Sequence, residues 1–486
     1  MLRGVRVRAT AVTDLDGCDD AVIPPRRVTA DGPRRAAASR RAPRLRPPQV
    51  RCAPILTGRV NSLVEMITVR VASCSDSDIF SPETRVYEGA SVTAPVQLSI
   101  EDARPLHVDP ILRQLQRLSP VHRVRTASGS AAWRVTGYRE VRQLLEDPRL
   151  GRSHPDPDNA ARTGEAAMLG RLRGSHETEK ADHLRMRTLL RPQLAPGRVR
   201  SWRPRVEEIA AELLDELATR RRPADLNTAL AQPLPGRVIA EVLGVPVADR
   251  ERFQAWTHAA GYVKDRDHSE QGFARLVDYG RELVARKRRE PADDVISRLC
   301  AAEPVDGVEL DDEAVAVLSM TLLFGGEATV MAIGLGVLTL LSHPAQWGLL
   351  LAEPALIPAA VEEILRGMDK GGDGIARYAH TDVDIADITI RAGELVLLDT
   401  GAANHDDTVF VDPDRLDVTR QAASHLAFGH GIHYCIGTAL ARLELQAVLG
   451  LLIPRFPTLR LAVPVEELRI DRDILAGGLT ALPVTW

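Results

Sequence analysis

The sequence predicts a mainly α-helical protein with a small β region. Segments 201–217, 271–289 and 349–366 repeat apolar residues three and four positions apart, which is the spacing of one buried helix face. A fourth segment, 311–342, is long and largely apolar. Short strand-like runs at 132–136 and 388–398 fit a small accessory sheet. Helices are therefore expected to form the core.

The first part of the chain has a different composition. Residues 1–60 contain 13 Arg and 5 Asp but no Lys or Glu, a formal charge of about +8, whereas the whole chain carries −4. Arg, Pro and Ala dominate, and no helical or strand period survives. We therefore divide the chain into an extension, 1–95, that is disordered or precedes the true start, and one domain, 96–486. A basic arm can bind nucleic acid, but a misplaced start is the simpler interpretation, so no nucleic-acid partner is predicted.

The apolar segment 311–342 is long enough to cross a membrane. Glu327, with Gly325 and Gly326 beside it, lies at its middle and favours a buried helix of a soluble protein that is locally opened there. The N-terminal region lacks the apolar core of a secretory signal, so we predict a cytoplasmic protein with no membrane anchor. The five cysteines form no C-x-x-C pair, which argues against a disulfide scaffold and against zinc.

The most specific chemical signal is the segment 428–437, FGHGIHYCIG. It places Cys435 in a glycine-framed loop, followed by helix-like sequence over 438–446. Backbone N–H groups and a helix N-terminus near a sulfur favour the thiolate, and a thiolate is a strong axial ligand for haem iron. A buried structural cysteine is the alternative, but three glycines together with Phe428 and His433 in this order argue against it. The segment resembles the haem-binding signature of the cytochrome P450 family.

The resemblance implies a cytochrome P450 fold in a single large haem-binding domain, with Cys435 as the iron ligand of haem b. His183 and Arg187 match the H-x-x-x-R of the helix that crosses the haem, and four-residue spacing puts both on one side. Arg377 and His433 match two further ligands of the haem propionates. Arginine suits this role because its planar fork can hold a carboxylate bidentately.

A second motif of the same family, E-x-x-R, is present as Glu363 and Arg366. Residues three apart share one helix face and lie within ion-pair reach. The resemblance implies that Arg415, in the Pro-Asp-Arg-Leu sequence downstream, joins this pair. The role of the three residues is structural, because in the family they hold the segment that leads to the cysteine loop.

The family motif A-G-x-[DE]-T-T, which lies above the haem iron, is changed in this chain to Phe324-Gly325-Gly326-Glu327-Ala328-Thr329. The resemblance implies that Glu327 and Thr329 take part in proton delivery. Ala328 replaces a threonine, and a methyl group can donate no proton. Three explanations stay open: a hydroxyl of the substrate or of an ordered water, a shifted Thr329, or a reaction that depends less on hydroxylation, such as oxidative coupling.

The resemblance therefore implies a haem-thiolate monooxygenase that activates O2 to hydroxylate or epoxidise a small molecule of specialised metabolism. No flavin-like segment is fused to the chain, so electrons are expected from a separate ferredoxin and its reductase. The substrate is either free or carrier-bound. The alternatives are a family member that couples substrate radicals or uses peroxide without inserting oxygen, and a non-catalytic haem-binding sensor.

Overall fold

The computed structural model describes residues 96–97, 105–106, 110–164, 175–368, 374–421, 424–471, 473–474 and 477–486. The predicted extension over 1–95 lies outside the described residues. In the described part, the helices are α1 (Pro110–Leu118), α2 (Tyr138–Glu146), α3 (Glu179–Leu190), α4 (Pro196–Ser201), α5 (Arg203–Thr219), α6 (Pro233–Leu243), α7 (Arg250–Ala260), α8 (Arg266–Arg289), α9 (Val295–Cys300), α10 (Asp312–Leu341), α11 (Pro344–Ala352), α12 (Ile357–Gly367), α13 (Thr400–Ala403) and α14 (Thr438–Arg455).

The strands form a minor part of the fold, as the sequence predicts. They are β1 (Val96–Gln97), β2 (Val121–Arg125), β3 (Ala131–Val135), β4 (Leu150–Gly151), β5 (Ala224–Asp225), β6 (Ile375–Ala379), β7 (Val383–Ile385), β8 (Ile388–Ile390), β9 (Leu395–Leu398), β10 (Arg460–Leu461) and β11 (Pro483–Thr485). The largest sheet has the order β1-β2-β3-β9-β6-β4, and smaller sheets join β10-β11-β5 and β7-β8. Arg377, one of the predicted haem carboxylate ligands, lies on β6 of the large sheet.

Helix α10 is the central helix of the core. It begins where the Asp311 side chain accepts a hydrogen bond from the Ala314 backbone N–H at 2.7 Å, which caps its N-terminus. It packs against α6, α8, α12 and α14. At the α12 crossing, a Cβ on Gly336 would lie 2.8 Å from Ile364 Cγ2, so glycine lets the two helices approach. In the described part of the chain α10 alone is apolar and long enough to span a membrane, but 56% of its most apolar window is buried inside the protein.

Three details of the secondary structure differ from the sequence predictions. The predicted helix 349–366 is broken between α11 and α12, because Pro354 starts a new turn at Pro354–Leu356. The strand-like run 388–398 is divided into β8 and β9 by a turn in which Gly393 has φ +83°. The predicted opening of α10 near Glu327 is wrong, since the helix is continuous from Asp312 to Leu341.

Candidate active site

The cysteine loop, residues 428–437, is shaped by two glycines and by backbone hydrogen bonds. Gly429 and Gly431 have φ +70° and +69°, which only glycine adopts without strain. The Cys435 N–H donates to the Phe428 carbonyl at 2.9 Å and closes the loop. A Cβ on Gly431 would lie 2.9 Å from the backbone oxygen of Leu145, so the loop packs directly against α2. The glycines thus fix both the shape of the loop and its position.

Cys435 is exposed in the structure, and protein groups around its thiol affect the thiol's pKa. Burial raises the pKa of the thiol, while a hydrogen bond from the Gly437 backbone and the charges of Arg187 and Arg442 act in the opposite direction. Burial is the largest of these effects, while the hydrogen bond from the Gly437 backbone acts in favour of the thiolate, as the sequence predicts. A coordinating metal ion deprotonates a thiol outright, so the geometry fits a metal ligand.

Arg442, on the first turns of α14, braces the loop from the side. Its Nε and Nη2 atoms donate to Glu362 at 2.7 and 2.8 Å, and its guanidinium lies 4.7 Å from the centre of the Phe428 ring. Burial raises the pKa of Glu362, but hydrogen bonds from Arg442 and His425 outweigh it and lower that pKa to about 2. This charged bridge joins α12 to the helix that follows the cysteine.

His183 and Arg187 lie on one side of α3, as their spacing predicts, and both contact the cysteine loop. His183 Nε2 lies 3.0 Å from the Ile432 carbonyl, and Arg187 Nη1 donates to the Tyr434 carbonyl at 2.7 Å. Because a carbonyl only accepts, Nε2 of His183 carries the proton. The Nδ1 atom of the neutral ring is then an acceptor, and Arg152 Nη2 lies 3.3 Å from it.

A cluster of basic side chains, two histidines and two arginines, adjoins this helix. The His183 and His433 rings lie 4.1 Å apart, and the charge of the buried Arg377 lowers the pKa values of both. Burial, followed by the charges of Arg377 and His183, lowers the pKa of His433 to about 3. Burial and the charge of Arg152 lower the pKa of Arg377 to about 10. Three predicted propionate ligands are thus brought together, with Arg152 as a member that sequence reasoning missed.

The surroundings of this cluster fit an anionic ligand. Burying like charges together is unfavourable unless an opposite charge joins them. Among the described residues, Glu179 is the one carboxylate that contributes to the pKa values of the cluster. Arg152 Nε is buried and has no hydrogen-bond partner. An unsatisfied buried donor beside several cations suits a ligand that carries two carboxylates.

Glu363 and Arg366 form the buried ion pair that their spacing predicts. Arg366 Nε and Nη2 donate to Glu363 at 2.8 and 2.9 Å, and Nη1 donates to the Asn404 carbonyl at 2.8 Å. The predicted third member, Arg415, is wrong: it is exposed and pairs with Asp417.

Arg420 takes the place of Arg415. Its Nε donates to Glu363 at 3.1 Å, and its Nη atoms bond three backbone carbonyls, those of Val411, Asp412 and Arg415. The segment folds back on itself, so the arginine five residues further along the chain reaches the pair. No motif spacing signals this arrangement.

Glu327, Ala328 and Thr329 lie in the middle of α10 and differ in their exposure and in their contacts. Ala328 is exposed, whereas the Thr329 side chain is buried and its hydroxyl donates to the Gly325 carbonyl at 3.4 Å. Glu327 lines a cavity of about 430 Å³ together with His258 of α7. Burial raises the pKa of Glu327, with a small opposing effect of His258. The side chain of Phe324 lies outside the described ones.

Comparison with known proteins identifies the family. The family model for cytochrome P450 matches residues 351–472. Pentalenolactone synthase of Streptomyces exfoliatus is 45% identical over 398 residues, which cover 80% of this chain and 99% of that protein. The chain belongs to the cytochrome P450 family.

Other members of the family are similar over the same span. Mycinamicin IV hydroxylase/epoxidase of Micromonospora griseorubida is 40% identical and covers 77% of this chain and 94% of its own length. The crystal structure of PimD, a polyene macrolide antibiotic pimaricin epoxidase, superposes with a TM-score of 0.72 at 38% identity, over 81% of this chain and 99% of that one. The cytochrome P450 fold predicted from the cysteine signature is therefore confirmed.

Cytochromes P450 bind haem through a cysteine thiolate. The residues of this chain fit the group: Cys435 is exposed and can coordinate a metal ion, and a cluster of basic side chains with an unsatisfied donor adjoins its loop. When bound, haem supplies the chemistry of oxygen activation, which a thiolate ligand favours. The protein contributes the binding, the orientation and the electrostatic surroundings.

Proposed function

We propose that this cytochrome P450 transfers one oxygen atom of O2 to a small organic molecule of specialised metabolism, by hydroxylation or epoxidation. The observation that carries the proposal is Cys435 in its glycine-shaped loop, beside a cation cluster suited to haem carboxylates. Relatives at 40% identity and at a TM-score of 0.72 bear the names hydroxylase/epoxidase and epoxidase. Replacing Cys435 with Ser should abolish the thiolate-type spectrum of the ferrous carbon monoxide complex, and a retained spectrum would contradict the ligand assignment.

In the proposed site, Cys435 would bind the haem iron, and Arg377 and His433 would bind the haem carboxylates. His183 acts through Arg152, because its Nδ1 lies against that guanidinium and its Nε2 is held by Ile432. Arg187 bonds the Tyr434 carbonyl and thereby steadies the cysteine loop, in addition to the carboxylate role that the family motif implies.

For proton delivery we propose that a hydroxyl of the substrate, or of a water ordered by it, acts where Ala328 replaces threonine. Two observations argue against Thr329 taking over the role of the missing threonine. Its side chain is buried, and its hydroxyl donates to the Gly325 carbonyl of the same helix. Glu327 is the second member of the proposed proton relay, since its side chain lines a cavity together with His258. Its raised pKa keeps a proton on the carboxyl group at higher pH than usual, as a proton donor requires.

A second candidate function is oxidative coupling without oxygen insertion. Ala328 favours it, because alanine has no hydroxyl that could deliver a proton, and oxidative coupling depends less on proton delivery than hydroxylation does. Turnover under ¹⁸O-labelled O2 separates the candidates: label in the product supports the monooxygenase, and product without label supports coupling. Absence of any ferredoxin-dependent turnover of a molecule that binds tightly would favour the sensor instead.

The substrate is to be found by titrating the ferric protein with metabolite fractions and following the Soret band for a low-to-high-spin shift. The hydroxylated molecule identified in this way is then compared with its deoxy analogue, with peroxide release measured in parallel. We expect the deoxy analogue to release mainly peroxide in the natural protein, and the substitution Ala328→Thr to restore product formation. Equal coupling of both molecules in the natural protein would refute substrate-assisted proton delivery.

The proposed electron donor is a ferredoxin with its reductase, and the proposed location is the cytoplasm. The surface beside the cysteine loop supports a docking role, because it exposes Leu184, Ile432 and Tyr434 at 63%, 52% and 37% of their areas. These residues belong to α3 and to the cysteine loop, which bond each other directly. Exposed apolar groups grouped on one surface are typical of interfaces with other proteins.

A further inference from the structure

Glu179, the first residue of α3, is a buried carboxylate that none of the family motifs includes. It is 7% exposed and accepts hydrogen bonds from the backbone N–H groups of Arg152 at 2.7 Å and Ser153 at 2.9 Å. The Ser153 hydroxyl donates to it as well. These bonds outweigh the effect of burial and lower the pKa of Glu179, so the group is a carboxylate at neutral pH. The Glu179 carboxylate thus binds the backbone N–H groups of two consecutive residues, Arg152 and Ser153.

The segment 151–153 packs closely around this carboxylate. A Cβ on Gly151 would lie 2.8 Å from Glu179 Oε2, and closer still to the His380 ring. His380 Nε2 lies 3.2 Å from the Ser153 carbonyl and contacts the segment from its other side. The backbone of Arg152 is therefore held by Glu179, which fixes the point from which the Arg152 side chain extends.

Arg152 points from this anchor into the cation cluster. Its Nη2 lies 3.3 Å from His183 Nδ1, and its charge lowers the pKa values of His183, Arg377 and His433. Its Nε is 3.9 Å from Glu179 Oε1, an ion pair without a hydrogen bond, and this buried donor has no partner. A guanidinium held among other cations with a donor unused is prepared for an external anion.

We propose that Glu179 is a positioning residue that holds Arg152 in place as an additional binding residue for the haem carboxylates. Arg152 binds the anion, and Glu179 acts through Arg152 by fixing its backbone. The inference rests on the carboxylate site proposed above, but not on the reaction or on its substrate. A purely structural Glu179 would instead stabilise the start of α3 without affecting how firmly haem is held.

The test measures the loss of haem from the ferric holoprotein to an excess of apomyoglobin, for Arg152→Gln, Glu179→Gln and the double variant. A charge-assisted hydrogen bond contributes about 1.5–3 kcal/mol, which corresponds to about ten- to a hundredfold faster loss for Arg152→Gln. We expect Glu179→Gln to act similarly, and the double variant to be no faster than the faster single variant, because both changes remove the same contact. Ser153→Ala, which removes one donor to the carboxylate, replaces Glu179→Gln if that variant yields no holoprotein.

The reduction potential gives an independent readout. Removing a cation near the haem favours the ferric state, so Arg152→Gln should lower the potential, and Arg152→Lys should restore it by keeping the charge. Arg149→Gln is the matched control, because Arg149 lies three residues away and pairs with Asp147 at the surface. Haem loss at the natural rate in Arg152→Gln, or additive effects in the double variant, would overturn the inference. If Arg377→Gln also lost no haem, the proposed carboxylate site itself would be wrong.

Discussion

Arg366 and Arg377 are both buried arginines, exposed by 2% and 8%, but their surroundings are opposite. Arg366 makes two hydrogen bonds to the Glu363 carboxylate and one to a backbone carbonyl. Arg377 donates to the Ala376 carbonyl, and burial together with the charge of Arg152 lowers its pKa, with the Glu179 carboxylate acting in the opposite direction.

The difference separates a structural cation from a binding cation. A buried charge that the chain pairs with its own carboxylate contributes to one fixed conformation, and removing its partner is strongly destabilising. A buried charge left among like charges is tolerated where a ligand supplies the opposite charge. The two arginines therefore predict different losses when each is altered: folding in one case, haem in the other.

The largest effect is expected from Glu363→Gln. It leaves Arg366 buried with a neutral partner, and breaking a buried pair in this way costs about 3–5 kcal/mol. The free energy of unfolding of the holoprotein in urea, or the yield of folded protein, measures this loss. Stability within error of the natural protein would show that the two arginines do not differ as argued.

Arg377→Gln should have a smaller effect on folding and a clear effect on haem binding. Removing a charge from a cluster of cations relieves repulsion in the apoprotein, while the holoprotein loses a charge-assisted contact of about 1.5–3 kcal/mol. Thermal unfolding of the apoprotein should be unchanged or raised, and haem transfer to apomyoglobin should be faster. A destabilised apoprotein with firmly held haem would reverse the assignment.

Arg420→Gln and Arg415→Gln form a matched pair within one segment. Arg420 bonds Glu363 and three carbonyls, so its replacement should lower the free energy of unfolding by about 1–3 kcal/mol. Arg415 is exposed and paired with Asp417 at the surface, so its replacement should change the free energy of unfolding by less than about 0.5 kcal/mol. Urea unfolding of both variants checks the order, and the reverse order would restore Arg415 to the ion-pair network.

A pH-dependent effect is expected at Glu444 of α14, which is buried in the core and has an Oε2 atom without a hydrogen-bond partner. Burial raises its pKa to about 8, from an ordinary value of 4.5. Between these two values the folded protein holds one proton more than the unfolded chain, so stability due to this group falls as pH rises. Glu444→Gln should remove that part of the decline, as melting temperatures from about pH 5 to 9 would show. Parallel pH profiles would indicate that Glu444 does not titrate in the core.

The sequence predicts well those parts of the site in which the motif residues lie close together along the chain. Glu363 with Arg366, and His183 with Arg187, lie on single helices, so the helical period alone places each pair on one side. The cysteine loop is similar, because φ above zero at Gly429 and Gly431 requires glycine and marks the turn in the sequence.

The parts that the sequence does not predict depend on long-range folding. Arg420 reaches Glu363 because irregular backbone folds back, and no period describes such a segment. Arg152 and Glu179 are 27 positions apart and meet through backbone N–H groups, which every residue type provides. The pKa of Cys435 depends on how many atoms surround the sulfur, which the order of residues in a loop does not reveal.

Helix α3 holds the cysteine loop by two carbonyl oxygens, those of Ile432 and Tyr434. Loop segments usually open locally at a lower free energy than helices. Here the loop cannot open without breaking two contacts to a helix, so loop and helix form one cooperative opening unit. Amide hydrogens at the cysteine and in the middle of α3 are therefore expected to exchange with solvent at matched free energies.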